Sequence, residues 1–252
     1  MLYNICYLAV LFFIYSVLGY ILEVTYVSIT EKRLAFSRGF LVGPYIPIYA
    51  FGAIFMVTFL QKYRDDILVL FIMSCVMCST LEFFTSYFME KIFHLRWWDY
   101  TECKFNLDGR ICLFNSTCFG IAGVLTVKYI NPYLTSLINT FSDTAVIVLG
   151  IIFMAIYFVD ILVSNFAIFR LKIDTSLFIR KDATNVVKEE VMKSLDKYRF
   201  LHRRLFSAFP NILEAEPFKI ITESFSKYRY KILRNDLKLK LKSLKKDIKR
   251  KK

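Results

Sequence analysis

The segment YSVLGYILEVTY, residues 15–26, decides how this chain is read, because Glu23 interrupts an apolar run that otherwise extends from Ile5 to Ile29. An ionised carboxylate at membrane depth costs several kcal/mol unless it is paired or protonated, so its retention points to a structural or functional use. The arrangement recurs further along. Glu82 interrupts the run from Ile67 to Phe88, and each run is followed by a loop, an Arg/Gly pair (Arg38-Gly39 and Gly109-Arg110) and a further apolar run. Two carboxylates in matching places suggest a duplicated polar site.

Composition supports reading these runs as membrane spans. Of the 252 residues 56% are hydrophobic, with 26 Phe and 16 Tyr, and the mean hydropathy is +0.46, well above that of a water-soluble domain of this length. The net charge of +13 is unevenly placed: residues 1–169 carry 10 Lys/Arg and 11 Asp/Glu, whereas residues 170–252 carry 24 and 10. We therefore expect an all-α integral membrane protein with a transmembrane domain over residues 1–169 and a basic, helical cytoplasmic tail over 170–252.

Five stretches approach the roughly 20 residues a helix needs to cross the hydrocarbon core. They cover residues 5–29, 40–60, 67–88, 111–127 and 145–169, and are read as two parallel-repeat helical hairpins plus one further helix. The first run is too long for a typical signal peptide and no Lys or Arg precedes it, so it is expected to be retained as a helix. With the N-terminus outside, the inner side receives Lys32, Arg33, Arg38, Lys91, Arg96, Lys104, Arg110 and the basic tail, and the outer side only Lys62, Arg64 and Lys128. The excess of Lys and Arg on cytoplasmic segments selects this orientation, N-terminus out and C-terminus in.

This topology places Glu23, Glu82 and Asp160 in the inner halves of helices running inward, on the side where Arg38 and Arg110 open the second and fourth spans. Glu23, Arg38, Glu82, Arg110 and Asp160 are the candidate polar or substrate site. Ser16, Gly19, Glu23 and Tyr26 share one helical face, as do Cys75, Cys78, Ser79, Glu82 and Ser86; such stripes let helices approach closely and hydrogen-bond in lipid. Two readings stay open: structural glue tied to Arg or backbone, and a substrate or proton site. Phe51-Gly52 and Phe119-Gly120 extend the pairing of the hairpins, as parallel repeats do in some transporters. Gly39, Gly43, Pro44 and Pro47 predict a kinked or partly unwound backbone over residues 39–48, tolerated at membrane depth only where protein or water satisfies it.

The strings YSVLGYILEVTY, SRGFLVGPYIPIYAFGA, LEFFTSYFMEKIFHLRWWDY and FNLDGRICLFNSTCFGIAG resemble the signatures of the "putative ABC-transporter type IV" permease family, labelled CmpB and found mainly in Gram-positive bacteria. The resemblance spans about Ile14 to Pro132. It implies a multi-pass permease of the bacterial plasma membrane working with a separate ATPase. It also places Glu23, Arg38, Gly39, Gly43, Pro44, Pro47, Glu82, Glu90, Trp97, Trp98, Asp99, Tyr100, Asn106, Gly109 and Arg110 on family motif positions. The chain departs from the family pattern at Ala50, where Gly usually follows Pro-Ile-Tyr, and at Tyr45-Ile46, where a small or Cys-containing pair is common. No G-x-x-x-x-G-K-[ST] string occurs, so ATP hydrolysis would have to come from a partner.

The loop from Glu90 to Arg110 is the richest polar segment, with Glu90, His94, Trp97, Trp98, Asp99, Tyr100 and Asn106 as its candidate inner-interface residues. Its charges either clamp an anionic head group or bond one another beneath the aromatic pair. A lone His94 with scattered acids is a weak metal case, and no metal or cofactor is expected. The six cysteines show no disulfide framework, and Cys75-x-x-Cys78 reads as packing within a span. In the tail, Asp174-Thr-Ser reads as a helix start. Val187, Val191, Leu195, Tyr198, Leu205 and Phe209 form one amphipathic pattern, and Phe218, Ile221, Phe225, Tyr228 and Ile232 a second. Lys238 to Lys252 holds nine Lys or Arg, which favours contact with anionic inner-leaflet lipid, each contributing about 1 kcal/mol, over nucleic acid. Homo-oligomerisation is left open. Two classes of function remain: a transport component with a polar site at Glu23 and Glu82, or a non-transporting protein, either a lipid-modifying enzyme or a scaffold acting through its tail.

Overall fold

The computed structural model describes residues 1–32, 39–93, 96, 98–179, 185–198, 220, 223–228 and 230. Within these the chain is almost wholly helical, and four helical stretches are long and apolar enough to cross a membrane: Leu2–Thr30, Ile67–Ile92, Leu113–Ile138 and Asp143–Arg170. Helix α1 (Leu2–Glu31) ends where Lys32 turns left-handed at φ 51°. Helix α3 covers Ile67–Phe93 and α6 covers Asp143–Ile179.

The second expected span differs from the reading of residues 40–60 as one helix. Helix α2 covers only Pro47–Leu60, 14 residues. At 1.5 Å per residue that is about 21 Å, short of a hydrocarbon core of about 30 Å. The cause is local. Gly39 sits at φ 84°, Pro44 and Pro47 lack amide donors, and Ile46 is extended at φ −124°, so the helix starts only where Pro47 occupies its first turn. The predicted break over residues 39–48 is thus an irregular segment that ends at Ile46, whose amide donates to the Ser16 carbonyl of α1 at 2.9 Å.

The fourth span is longer than the expected 111–127. It starts directly after a short antiparallel hairpin, β1 (Asn106–Leu107) paired with β2 (Ile111–Cys112), and then runs through α4 (Leu113–Leu125), a π-type turn over Thr126–Ile130 and α5 (Asn131–Ile138). Pro132 lies inside this span although it cannot donate to the carbonyl four residues back. The wider turn absorbs it: the Asn131 amide reaches back to the Thr126 carbonyl, and Pro132 falls in the first turn of α5. The hairpin was not anticipated, although Asp108-Gly109 is a pair suited to a turn with both central residues at positive φ; here they lie at 54° and 62°.

Small residues bring the helices together. A Cβ at Gly123 would overlap Ser74 of α3, one at Gly120 would overlap Cys75 and Phe71, and one at Gly19 would overlap Tyr49. Two apolar clusters fill the interior. Val10, Leu11 and Tyr15 pack with Ala50, Ala53, Leu134, Ile138 and Val146, and Met56, Leu60, Leu70, Cys78 and Val127 form the other. Tyr15 ties α1 to the π-type turn and α5 by donating to Asn131 at 2.9 Å. Large apolar side chains such as Leu8, Leu22, Phe55, Phe59, Ile72 and Phe158 face outward, as a lipid-covered surface requires.

The chain divides into two compact units, one holding Met1–Asn165 and another beginning at Phe166. In the second unit, α7 (Asn185–Lys197) buries Val191, Met192 and Leu195. Asp174 does not start a helix, as Asp174-Thr-Ser suggested. It lies inside α6 and accepts a hydrogen bond from Ser194 at 2.8 Å, with Arg170 3.6 Å away. A carboxylate that finds a buried hydroxyl and a neighbouring guanidinium has no need to cap. The rest of the tail patterns, including Leu205, Phe209 and Lys238 to Lys252, lie outside the described residues.

Packing at Gly150 yields a direct test. An added Cβ there would stand 2.6–2.7 Å from the Cβ, Cα and carbonyl oxygen of Cys6, which are too stiffly held to yield, whereas at Gly52 the nearest atom is Cys78 Sγ at 3.5 Å. Gly150→Ala should therefore destabilise by about 1–3 kcal/mol. Gly52→Ala should be neutral or slightly stabilising, since Ala is favoured over Gly in a helix by up to about 1 kcal/mol. Thermal unfolding of the two variants in detergent checks the contrast.

Candidate functional site

An internal cavity of about 330 Å³ opens between α1, α2, α3 and α4, and both Glu23 and Glu82 line it. Glu23 comes from the same face of α1 as Gly19. The missing side chain at Gly19 admits Tyr49, from the first turn of α2, whose hydroxyl donates to Glu23 Oε2 at 2.7 Å. Glu82 projects from the small-residue face of α3, beneath buried Cys78 and Ser79. Ser79 and Ser116 share a 2.7 Å hydrogen bond that holds α3 against α4 on this side.

Glu82 is only 7% exposed, and its two oxygens differ. Oε1 accepts a hydrogen bond from the Tyr100 hydroxyl at 3.1 Å, while Oε2 is buried with no hydrogen-bond partner among the described residues. The Tyr100 phenol is held well above its ordinary pKa by burial and by the adjacent Glu82 carboxyl, so it remains a neutral donor. Leaving one lone-pair oxygen of a carboxyl dry and unpaired is costly, and buried polar atoms without partners are rare in folded proteins.

Tyr100 is brought inward by the loop after α3. Its amide donates to the Gly109 carbonyl at 2.8 Å, and Trp98 Nε1 donates to the Arg110 carbonyl at 3.1 Å. Asn106 fastens the loop, donating to the Thr101 and Cys103 carbonyls and accepting from the Gly109 amide. Asp99 accepts from the Thr101 amide and lies 3.5 Å from Arg96. Trp98 and Tyr100, read from sequence as rings at the inner interface, both line the cavity. His94 and Trp97 lie outside the described residues, as does Arg38.

Of the five residues expected to form one cluster, the four that are described do not share a single environment. Arg110 does not face Glu82. Its guanidinium pairs with Glu90 at 2.8 Å and Asp108 at 2.7 Å, donates to Ser86, and lies 5.8 and 5.7 Å from the ring centres of Phe83 and Tyr87. Asp160 also has its own partners. It accepts from the amides of Val42 at 2.7 Å and Gly43 at 2.6 Å, and from the hydroxyls of Tyr45 and Ser164. The irregular segment opened by Gly39, Gly43 and Pro44 is thereby pinned to α6 by one carboxylate. Only Glu23 and Glu82 share the cavity, together with Gly39 at its margin. Among the described residues no group of three or more His, Cys, Asp or Glu side chains is placed to hold a metal ion.

A family model described as "Putative ABC-transporter type IV" matches residues 10–165. The chain belongs to that family. No curated protein and no solved structure matches it. The matched region takes in α1 through most of α6, and with them every cavity-lining residue named above. Tyr49 is the member of this family site that sequence reasoning missed: a tyrosine in an apolar run looks like any core aromatic, and its signal lay in Gly19, whose helical face it fills.

The partners of Asp160 make its role testable. Asp160→Ala strands two backbone amides and a buried hydroxyl; at about 1–3 kcal/mol for a group left unsatisfied, the variant should lose several kcal/mol. Hydrogen exchange at Val42 and Gly43 should rise sharply, and exchange in α3 should not. Protection of both amides unchanged in Asp160→Ala would contradict the assignment.

Proposed function

We propose that this chain is the membrane-embedded component of a transport system and that the cavity between Glu23 and Glu82 is where its substrate sits. One observation carries the reading: Glu82 Oε2 is buried, unpartnered and at the wall of a cavity large enough for a small molecule. Intramembrane carboxylates aimed at a cavity are the usual mark of a substrate or ion path. Membership of the "Putative ABC-transporter type IV" family supports a transport role and is compatible with ATP hydrolysis on a separate subunit, as this sequence holds no G-x-x-x-x-G-K-[ST] string.

In this reading the irregular segment 39–46 with α2 acts as a fifth, discontinuous crossing, and the N-terminus lies outside. The cavity then opens toward the cytoplasmic half, beneath Trp98 and Tyr100. The charge distribution of the loops favours this orientation, and the basic tail lies on the anionic inner leaflet of a bacterial plasma membrane. A lipid-modifying enzyme using inner-face Arg, Glu and His groups is less well supported, because Arg110 and Glu90 are paired with each other.

Two outcomes check the proposal. Glu82→Gln should reduce transport at least tenfold in cells, with normal protein levels, while Asp65→Asn, an exposed carboxylate outside the cavity, leaves it unchanged. Orientation is read at Cys103, which is exposed in the loop after α3. A membrane-impermeant maleimide should label wild-type protein, but not Cys103→Ser, in inside-out vesicles, and should miss Cys103 in intact cells. Labelling of Cys103 in intact cells would reverse the topology.

A further inference from the structure

We propose that the substrate is a monovalent organic cation with an apolar or aromatic body, such as an alkyl- or arylammonium, held with its positive centre between Glu82 and Glu23. The inference rests on the transport reading and specifies its substrate class. Three features of the cavity converge on it, each separate from the others.

The first is charge. Among the described residues, Glu23 and Glu82 are the only carboxyl groups lining the cavity, and no Lys, Arg or His lines it. Among these residues an anion would meet two carboxylates and no counter-charge. A cation supplies what Glu82 Oε2 lacks, and that oxygen is buried at the cavity wall with no other partner.

The second is the scarcity of oxygen donors. Beyond the two carboxylates, the polar side chains at the wall are the hydroxyls of Tyr15, Tyr49, Tyr100 and Thr126, the thiol of Cys78 and the Trp98 indole. The hydroxyls of Tyr49 and Tyr100 are already given to the carboxylates, and that of Tyr15 to Asn131. A calcium ion seeks six to eight oxygen ligands and magnesium a near-ideal octahedron, so neither is served here. A bulky, weakly hydrated cation needs no such shell.

The third is the remaining wall. Leu18, Leu22, Ala53, Met56, Leu81 and Phe119 give the cavity an apolar lining that would reward burial of hydrocarbon. The rings of Tyr49, Trp98 and Tyr100 stand on the carboxylate side. Aromatic faces attract quaternary and primary ammonium groups, and such cages are a recurrent means of recognising them. Trp98 and Tyr100 come from the loop after α3, held there by hydrogen bonds to the Arg110 and Gly109 carbonyls respectively.

The test is equilibrium binding to the full chain in nanodiscs of zwitterionic lipid, with benzyltrimethylammonium as probe and neopentylbenzene, its uncharged isostere, as comparison. The expected result is saturable one-to-one binding of the cation, at least tenfold weaker binding of the isostere, and at least tenfold loss of cation affinity in Glu82→Gln. Asp65→Asn should bind as wild type, and a monodisperse elution profile confirms that each variant is folded. Equal affinity for cation and isostere, or cation affinity unchanged in Glu82→Gln, would overturn the proposal. So would displacement of the probe by equimolar sodium, which would assign the site to an inorganic cation. If binding fails in these ways while Glu82→Gln still abolishes transport in cells, the substrate class is wrong and the transport reading survives; if the transport loss is also absent, both fall.

Discussion

A carboxylate cannot stay ionised and unaccompanied among apolar side chains, and among the described residues of Met1–Asn165 three stand where that constraint applies. Each meets it differently. Asp160 accepts from two amides and two hydroxyls and so fixes the unwound segment against α6. Glu23 is half-buried and takes the Tyr49 hydroxyl. Glu82 is the most deeply buried of the three by its exposure and has one oxygen satisfied and one not. The satisfaction is graded: a network with every member paired rigidifies, as around Asp160, whereas Glu82 Oε2 has no hydrogen-bond partner among the described residues.

The helix packing follows from the same need. Gly19, Gly120 and Gly123 remove side chains where α1 meets α2 and α3 meets α4, so the carboxylate-bearing faces come close enough for a tyrosine to reach across. Lipid tails are as apolar as leucine, so nothing resembling the hydrophobic effect in water presses these helices together; close packing and buried hydrogen bonds must do it. The Tyr15 to Asn131 and Ser79 to Ser116 bonds are of this kind. The Arg110, Glu90 and Asp108 group does the same for the loop, placing Trp98 and Tyr100 over the cavity rather than against lipid.

What could be read from the sequence depended on whether the partner was also written there. Glu23 and Glu82 stood out because a charge in an apolar run is anomalous in any fold; the α3 stripe falls on buried Cys78, Ser79, Glu82 and Ser86, while the α1 stripe is buried at Ser16 and exposed at Tyr26. Asp160 carried the same signal, but its partners are backbone amides that become available only because residues 39–46 are not helical. Arg110 was assigned toward the intramembrane carboxylates, yet Ser86 and Glu90 follow Glu82 at successive turns of one face, and the hairpin sets which turn it meets. The fourth span was read to end at Val127, because its continuation through a π-type turn to Ile138 leaves no mark in composition. Tyr49 could be found only by asking what fills the space that Gly19 leaves.

The central claim is that Glu23 and Glu82, on different helices, face one shared cavity. It can be tested without knowing the substrate, in a chain whose only two cysteines replace these glutamates. After treatment with a short bifunctional thiol reagent, the chain is cut by an engineered protease site in the loop between α2 and α3. The account predicts that the two fragments stay covalently joined. Fragments that separate, although each cysteine alone is readily labelled, would contradict it.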